Sequence, residues 1–212
     1  MSQNTPARIT VVDYGMGNLR SVQKIVSRIG AEVRISSTED DLEWADRLIL
    51  PGVGAFADAM KRLRELNLVD ILNDQVIARK KPILGICLGM ELMARSSVEL
   101  GHTVGLGWFE ADVIGFDRAK GIRVPHVGWN HTEIKKERPL FAGLSGQPTC
   151  YYVHSFHMVC EDPKDVLACS EYGGTFTAAI GKGNILGTQF HPEKSQANGF
   201  QILVNYVTGD LQ

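Results

Sequence analysis

Apolar positions along this chain fall into two alternating periods, one of a strand and one of a helix. Ile9-Thr10-Val11-Val12 is a short β-rich run that ends at Asp13, and Tyr14-Gly15-Met16-Gly17 leads to Asn18, a good helix N-cap residue. Val22, Ile25, Val26 and Ile29 then recur at spacings of three and four, and Gly30 stands where a left-handed C-cap would end the helix. Val33 to Ile35 and Leu48 to Leu50 predict the next two strands. Ala59, Met60, Leu63 and Leu66, followed by Val69, Leu72, Val76 and Ile77, predict helical stripes broken near Asn67. Pro82 to Ile86 predicts a strand that runs straight into Cys87, with a helix following through Met90, Leu92 and Met93. From Val104 to Tyr172 shorter β-like runs lie between Gly, Pro and charged residues, which predicts hairpins added to the central sheet. Ile185 to Phe190 restores the strand pattern, and Phe200, Leu203, Val204 and Val207 mark a closing helix. Alternation of this kind implies an α/β fold with parallel pairing and helices on both sheet faces.

Composition narrows the function classes. The 212 residues suffice for one domain with a full core, so a single domain over residues 1–212 is expected. With 44% hydrophobic and 22% charged residues the chain reads as an ordinary packed globular protein. A net charge of -2 offers no overall field for phosphate backbones or anionic lipid, so neither nucleic acid nor membrane is an implied partner. The basic runs Lys80-Lys81 and Lys135-Lys136-Glu137-Arg138 are short and sit beside Pro, as solvated loops do. Met1 to Pro6 is polar and lacks a secretory pattern, which points to the cytoplasm. Cys87, Cys150, Cys160 and Cys169 show no CxxC spacing, which suggests neither a disulfide framework nor a zinc site.

Gly85-Ile86-Cys87-Leu88-Gly89 is a G-x-C-x-G sequence at a strand-to-helix junction, the setting of a nucleophile elbow. A helix starting just after Cys87 would bring N–H groups and its positive dipole end to the sulfur and favour the thiolate. A buried core Cys packed between glycines fits the same pentapeptide. His191-Pro192-Glu193 follows a strand at the end where ligands collect in open α/β sheets. Residues two apart in extended chain point to one side, so Glu193 can orient His191, and His191 can take a thiol proton and return it to a leaving amine. Two surface residues would read the same, and a metal site would need a second His or Cys at ligand spacing, which is missing. Pro51-Gly52-Val53-Gly54 closes another strand; it fits a loop that aims N–H groups at an oxyanion and equally an ordinary turn. Asp13 to Gly17 lacks both the G-x-G-x-x-G spacing and the P-loop Lys.

Gly-Ile-Cys-Leu-Gly-Met at 85–90, His-Pro-Glu-Lys-Ser at 191–195 and Pro-Gly-Val-Gly at 51–54 together resemble the class I, triad-type glutamine amidotransferases. Asp13 to Asn18, Val124 to Asn130 and Tyr151 to Ser155 narrow the resemblance to the glutaminase subunits of imidazole glycerol phosphate synthases, over essentially the whole chain. The resemblance implies a flavodoxin-like, doubly wound sheet and hydrolysis of glutamine to glutamate and ammonia without a cofactor or metal. Cys87 would be the nucleophile, His191 the acid and base, and Glu193 its orienting group. Leu88 and the Gly52, Val53, Gly54 segment would hold the oxyanion. Glu99 and the backbone around His154, Ser155 and Phe156 would grip the amino-acid end of the substrate.

The family usually carries Gln where this chain has Glu91, a carboxylate that would attract the α-ammonium of glutamine and repel its α-carboxylate. Phe156-His157 is a second departure. The resemblance also implies a heterodimer with a (β/α)8-barrel cyclase subunit that consumes the ammonia in histidine biosynthesis. Pro125, His126, Gly128, Trp129, Asn130 and Lys194 would form that interface, although a hairpin packed on the domain's own sheet fits their apolar members too. Three alternatives remain open at this level: a paralogue feeding another synthase, such as one for surface-sugar amidination; a catalytically silent binding subunit; and a stand-alone thiol hydrolase.

Overall fold

The computed structural model describes residues 5–210, so residues 1–4 of the polar Met1–Pro6 segment lie outside it. In chain order the strands are β1 (Arg8–Val12), β2 (Glu32–Ser36), β3 (Arg47–Gly52), β4 (Ile83–Cys87), β5 (Ala94–Ser97), β6 (Thr103–Val104) and β7 (Phe109–Gly115). They continue with β8 (His126–His131), β9 (Glu133–Ile134), β10 (Thr149–His154), β11 (Phe156–Cys160), β12 (Val166–Glu171), β13 (Thr175–Lys182) and β14 (Ile185–Thr188). The α-helices are α1 (Leu19–Ile29), α2 (Glu39–Trp44), α3 (Phe56–Glu65), α4 (Leu68–Leu72), α5 (Leu88–Glu91) and α6 (Gln196–Thr208).

The central sheet has the order β2-β1-β3-β4-β14-β13-β12-β9. Its first five strands are parallel, in the flavodoxin-like order, and β13, β12 and β9 extend it antiparallel. Side-chain alternation divides the core between the two faces. Ile9, Val11, Ile49, Leu84 and Ile86 pack with α1 and α6, whereas Val12, Leu48, Leu50 and Ile83 pack with α2, α3, α4 and α5. No helix among the described residues is long and apolar enough to cross a membrane.

Four local expectations change. Only part of the middle region joins the central sheet: β8 and β10 pair by themselves, and β11, β7, β5 and β6 form a separate four-stranded sheet. The helix after Cys87 is a single turn, because Trp108 N and Phe109 N bond to the Met93 carbonyl and draw the chain into β5. The stripe after Asn67 runs through α4 into a π-helical turn at Asn73–Ala78, whose wider winding leaves Ile77 at 40% exposure while Val76 stays buried. Asn18 begins α1 without a side-chain cap bond, and its Nδ2 donates instead to Glu193 Oε1. The strand β13, unmarked in the hydrophobic pattern, is almost wholly buried.

Candidate active site

The register Leu50↔Gly85 and Gly52↔Cys87 between β3 and β4, with Thr188↔Ile86 from β14, brings three C-terminal strand ends to one place. Cys87 takes φ 54° and ψ -113°, a conformation unfavourable for a residue with a Cβ. The turn can form because Gly89 sits so close to β3 that a Cβ there would lie 1.8 Å from the Leu50 carbonyl oxygen. Cys87 thereby enters the wall of a cavity of about 260 Å3, shared with Gly54, Leu88, Glu91, Glu99, His154, Ser155, Phe156 and His191.

His191 and Glu193 meet as the i, i+2 spacing implies. The Nδ1–H of His191 donates to Glu193 Oε1 at 2.9 Å, and both side chains are 1% exposed. This fixes the orientation of the ring and leaves Nε2 buried without a partner. Asn18 Nδ2 reaches the same Glu193 oxygen at 3.3 Å. Burial alone would raise the Glu193 pKa, but the hydrogen bonds and charge of His191, with help from Asn18, hold it below the ordinary value.

The thiol differs from its expected state. Cys87 is 6% exposed, and burial first, then the Glu91 charge, push its pKa up; the Leu88 N–H and the Gln189 amide oppose this and are outweighed. One turn of helix in a dry setting does not offset desolvation, so the resting sulfur is protonated, donating to the Val153 carbonyl at 3.8 Å. The cavity can therefore host a nucleophile whose proton must leave to a neighbouring base during reaction.

Among the predicted binding residues, Glu99 Oε2 accepts the Phe56 N–H at the start of α3 at 2.7 Å. His154 donates from Nδ1 to the Phe156 carbonyl at 2.8 Å, and its Nε2 accepts from His126 Nδ1 at 3.0 Å. Glu91 is 5% exposed, and its Oε1 accepts from Gln189 Nε2 at 2.8 Å. Gly52 is buried in β3, where an added Cβ would come within 2.5 Å of the Tyr14 hydroxyl, while Val53 and Gly54 are exposed at the loop.

The interface set divides by strand alternation. Val127 and Trp129 on β8 face outward at 56% and 47% exposure, beside exposed Pro125 and Lys194. Lys194 Nζ lies 5.8 Å from the Tyr151 ring, which meets Trp129 edge-on. His126, expected at the interface, points inward in this chain: it is 4% exposed, stacked on Tyr172, and accepts from Asn130 Nδ2 at 3.3 Å. Gly128 and Asn130 share its half-buried inward side.

Sequence reasoning missed Gln189 and Asn18 as a donor to Glu193. Gln189 had a signal, since Gln189, His191 and Glu193 continue one period of two. The Asn18 contact spans 175 positions and left no local trace.

The family model for Glutamine amidotransferase class-I matches residues 10–207. The chain is 45% identical over 199 residues to "Imidazole glycerol phosphate synthase subunit HisH 2" of Pseudomonas aeruginosa, covering 94% of this chain and 98% of that one. It is 47% identical to "Imidazole glycerol phosphate synthase subunit HisH" of Sulfurimonas denitrificans, covering 93% and 96%. A solved structure described as a glutamine amidotransferase superposes with TM-score 0.70 at 23% identity, covering 92% of this chain and 98% of that one. PurLQS from Thermotoga maritima gives 0.75 at 17% identity, covering 96% and 98%, and the two show the likeness of fold.

Proposed function

Because the chain belongs to the class-I glutamine amidotransferase family, we propose that it is the glutaminase subunit of an imidazole glycerol phosphate synthase, handing ammonia to a cyclase partner in histidine biosynthesis. The observation that carries the reading is Cys87 at a positive-φ elbow in the same cavity wall as His191, whose orientation Glu193 fixes. Relatives named as subunits of that synthase, matched over nearly their full length, support the partner and the pathway. The partner is a (β/α)8-barrel subunit, the assembly a heterodimer, and the location the cytoplasm.

Cys87 Sγ attacks the side-chain carboxamide carbon of glutamine as its proton passes to His191 Nε2. The developing oxyanion is met by the Leu88 N–H and the Gly52–Gly54 segment. Collapse breaks the C–N bond, His191 returns the proton to the leaving nitrogen, and ammonia departs from a γ-glutamyl thioester. Water, deprotonated by the same imidazole, attacks the thioester and releases glutamate and the thiol. The bond from Cys87 to the Val153 carbonyl describes a resting arrangement, so the thiol must turn toward His191 before it reacts. Ammonia released to water would be protonated and lost as a nucleophile, hence the need for a closed path to the partner.

In the assembled synthase, Cys87→Ala is expected to abolish glutamine-dependent product formation and to leave ammonia-dependent formation intact. Equal use of glutamine by the variant would refute the assignment. Phe156-His157, a departure from the residues more usual in the histidine-pathway proteins, favours a second reading, a paralogue serving another synthase such as one for surface-sugar amidination. Rescue of a histidine-requiring strain that lacks its own glutaminase subunit separates the two.

A further inference from the structure

His126 and His154 form a buried titratable pair that the hydrolysis itself does not use. They face each other across the β8–β10 ribbon as a register pair, at 4% and 6% exposure. Around them stand the rings of Phe116, Tyr152, Tyr172 and Phe176. Phenylalanine would fill the same space without polar atoms, and an imidazole nitrogen left unpaired in a dry setting is costly. Here all four ring nitrogens have partners.

The partners also fix the direction of each bond. Burial keeps both rings neutral, lowering the pKa of His126 to about 4 and that of His154 to about 3. The Phe156 carbonyl can only accept, so the hydrogen of His154 is on Nδ1, at 2.8 Å from that oxygen. Its Nε2 is then an acceptor and takes its hydrogen bond from His126 Nδ1 at 3.0 Å. That leaves His126 Nε2 as an acceptor, and it meets the Asn130 amide Nδ2 at 3.3 Å. Asn130 cannot be turned over: its Nδ2 also donates to the Glu171 carbonyl at 2.9 Å, and its Oδ1 accepts the His131 N–H at 2.8 Å. The result is one directed chain, Asn130 to His126 to His154 to the Phe156 carbonyl.

The chain ends at the corner where β10 passes to β11 through the single residue Ser155, and so from the two-stranded ribbon into the separate four-stranded sheet. The His154 ring braces that corner from its own position to the Phe156 carbonyl. On one side of the corner the Val153 carbonyl accepts the resting thiol, and residues Val153 to Phe156 line the cavity. The other end of the chain lies on β8, which contributes no lining residue. Resting on the glutaminase reading of this site, we propose that His126 is a positioning residue for glutamine hydrolysis: from outside the cavity, and backed by Asn130, it holds His154 so that the Val153–Phe156 corner keeps the shape that receives substrate. A loosened corner weakens the bound ground state and the transition state alike, which raises KM and leaves kcat little changed.

Two substitutions separate a hydrogen-bonding role from a packing one. His126→Asn keeps an amide nitrogen near the place of Nδ1 and loses the ring, whereas His126→Phe keeps the ring and loses the hydrogen bond. In glutamine-dependent turnover by the assembled synthase, His126→Phe is expected to raise KM about tenfold, the scale of one buried polar atom left unpaired, with kcat within about twofold. His126→Asn is expected to hold KM within about threefold of the unsubstituted chain. The opposite order, or an unchanged KM in His126→Phe, would reduce the ring to packing and overturn the proposal. A second measurement requires no variant to fold: long-range proton–nitrogen NMR correlation of the isolated chain at neutral pH is expected to show His126 and His154 both as neutral Nδ1–H tautomers. An Nε2–H tautomer or an imidazolium at either ring would break the chain and overturn the proposal as well. Absence of glutamine hydrolysis by the unsubstituted chain in the assembled synthase would instead remove the glutaminase reading and the positioning role with it, an outcome that no order of the variants imitates.

Discussion

Glu193 stays ionised in a nearly closed site because two donors converge on one of its oxygens, His191 from its own segment and Asn18 from the loop before α1. A carboxylate whose folded pKa is lowered adds stability above its unfolded value, and that contribution is lost as pH falls through the folded one. Asn18→Ala removes one donor, so the Glu193 pKa rises toward its burial-driven value. In a pH–rate profile of glutamine hydrolysis the acid limb is expected to move to higher pH. The plateau rate should fall roughly tenfold, the scale of one hydrogen bond to a charged group. An unmoved acid limb would show that Asn18 does not position the carboxylate. Of the residues singled out in sequence at this scale, Cys87 and His191 line one cavity, and Glu193 holds His191 through its Nδ1. The protonation of the thiol was not legible, because its burial and the nearby Glu91 charge, which together outweigh the Leu88 N–H, arise only once the segments pack around it.

Elements matched the hydrophobic pattern best where their neighbours did not interrupt it. The helix from Asn18 to Gly30 forms as its period and its left-handed C-cap predict. Past Asn67, itself at φ 55°, the pattern predicts one helical stripe, and the π-turn at Asn73–Ala78 changes which side chains point inward. Val76→Ala, at a fully buried position, is expected to cost roughly 1–3 kcal/mol in chemical denaturation, whereas Ile77→Asn, at 40% exposure, should stay within about 0.5 kcal/mol. Similar losses at both sites would place Ile77 in the core and contradict the π-turn. The short α5 was illegible for a related reason: Leu92 and Met93 suit a helix, but hydrogen bonds from the Leu106–Phe109 segment claim the backbone of residues 92–94.

At the scale of the whole molecule, the outward face of β8 lies beside the active-site cavity, with Pro125 belonging to both regions. Trp129 and Val127 expose apolar surface there, flanked by Lys194, which follows the His191–Glu193 pair in sequence. If this face docks the proposed partner subunit, Trp129→Ala is expected to weaken that association by about 2 kcal/mol in a binding titration, near thirtyfold, and to leave the unfolding midpoint of the isolated chain almost unchanged. Full-strength association would refute this face as the docking surface. The sequence by itself determined the alternation of strands and helices, the elbow around Cys87 and the His191–Glu193 pair, since each depends on periodicity or on residues a few positions apart. Only the tertiary structure decided that His126 turns inward, that Glu91 meets Gln189 across 98 positions, that Asn18 serves Glu193 instead of its own helix, and that the resting thiol keeps its proton. Burial and charge proximity are properties of segments brought together by folding, and no local stretch of chain encodes them.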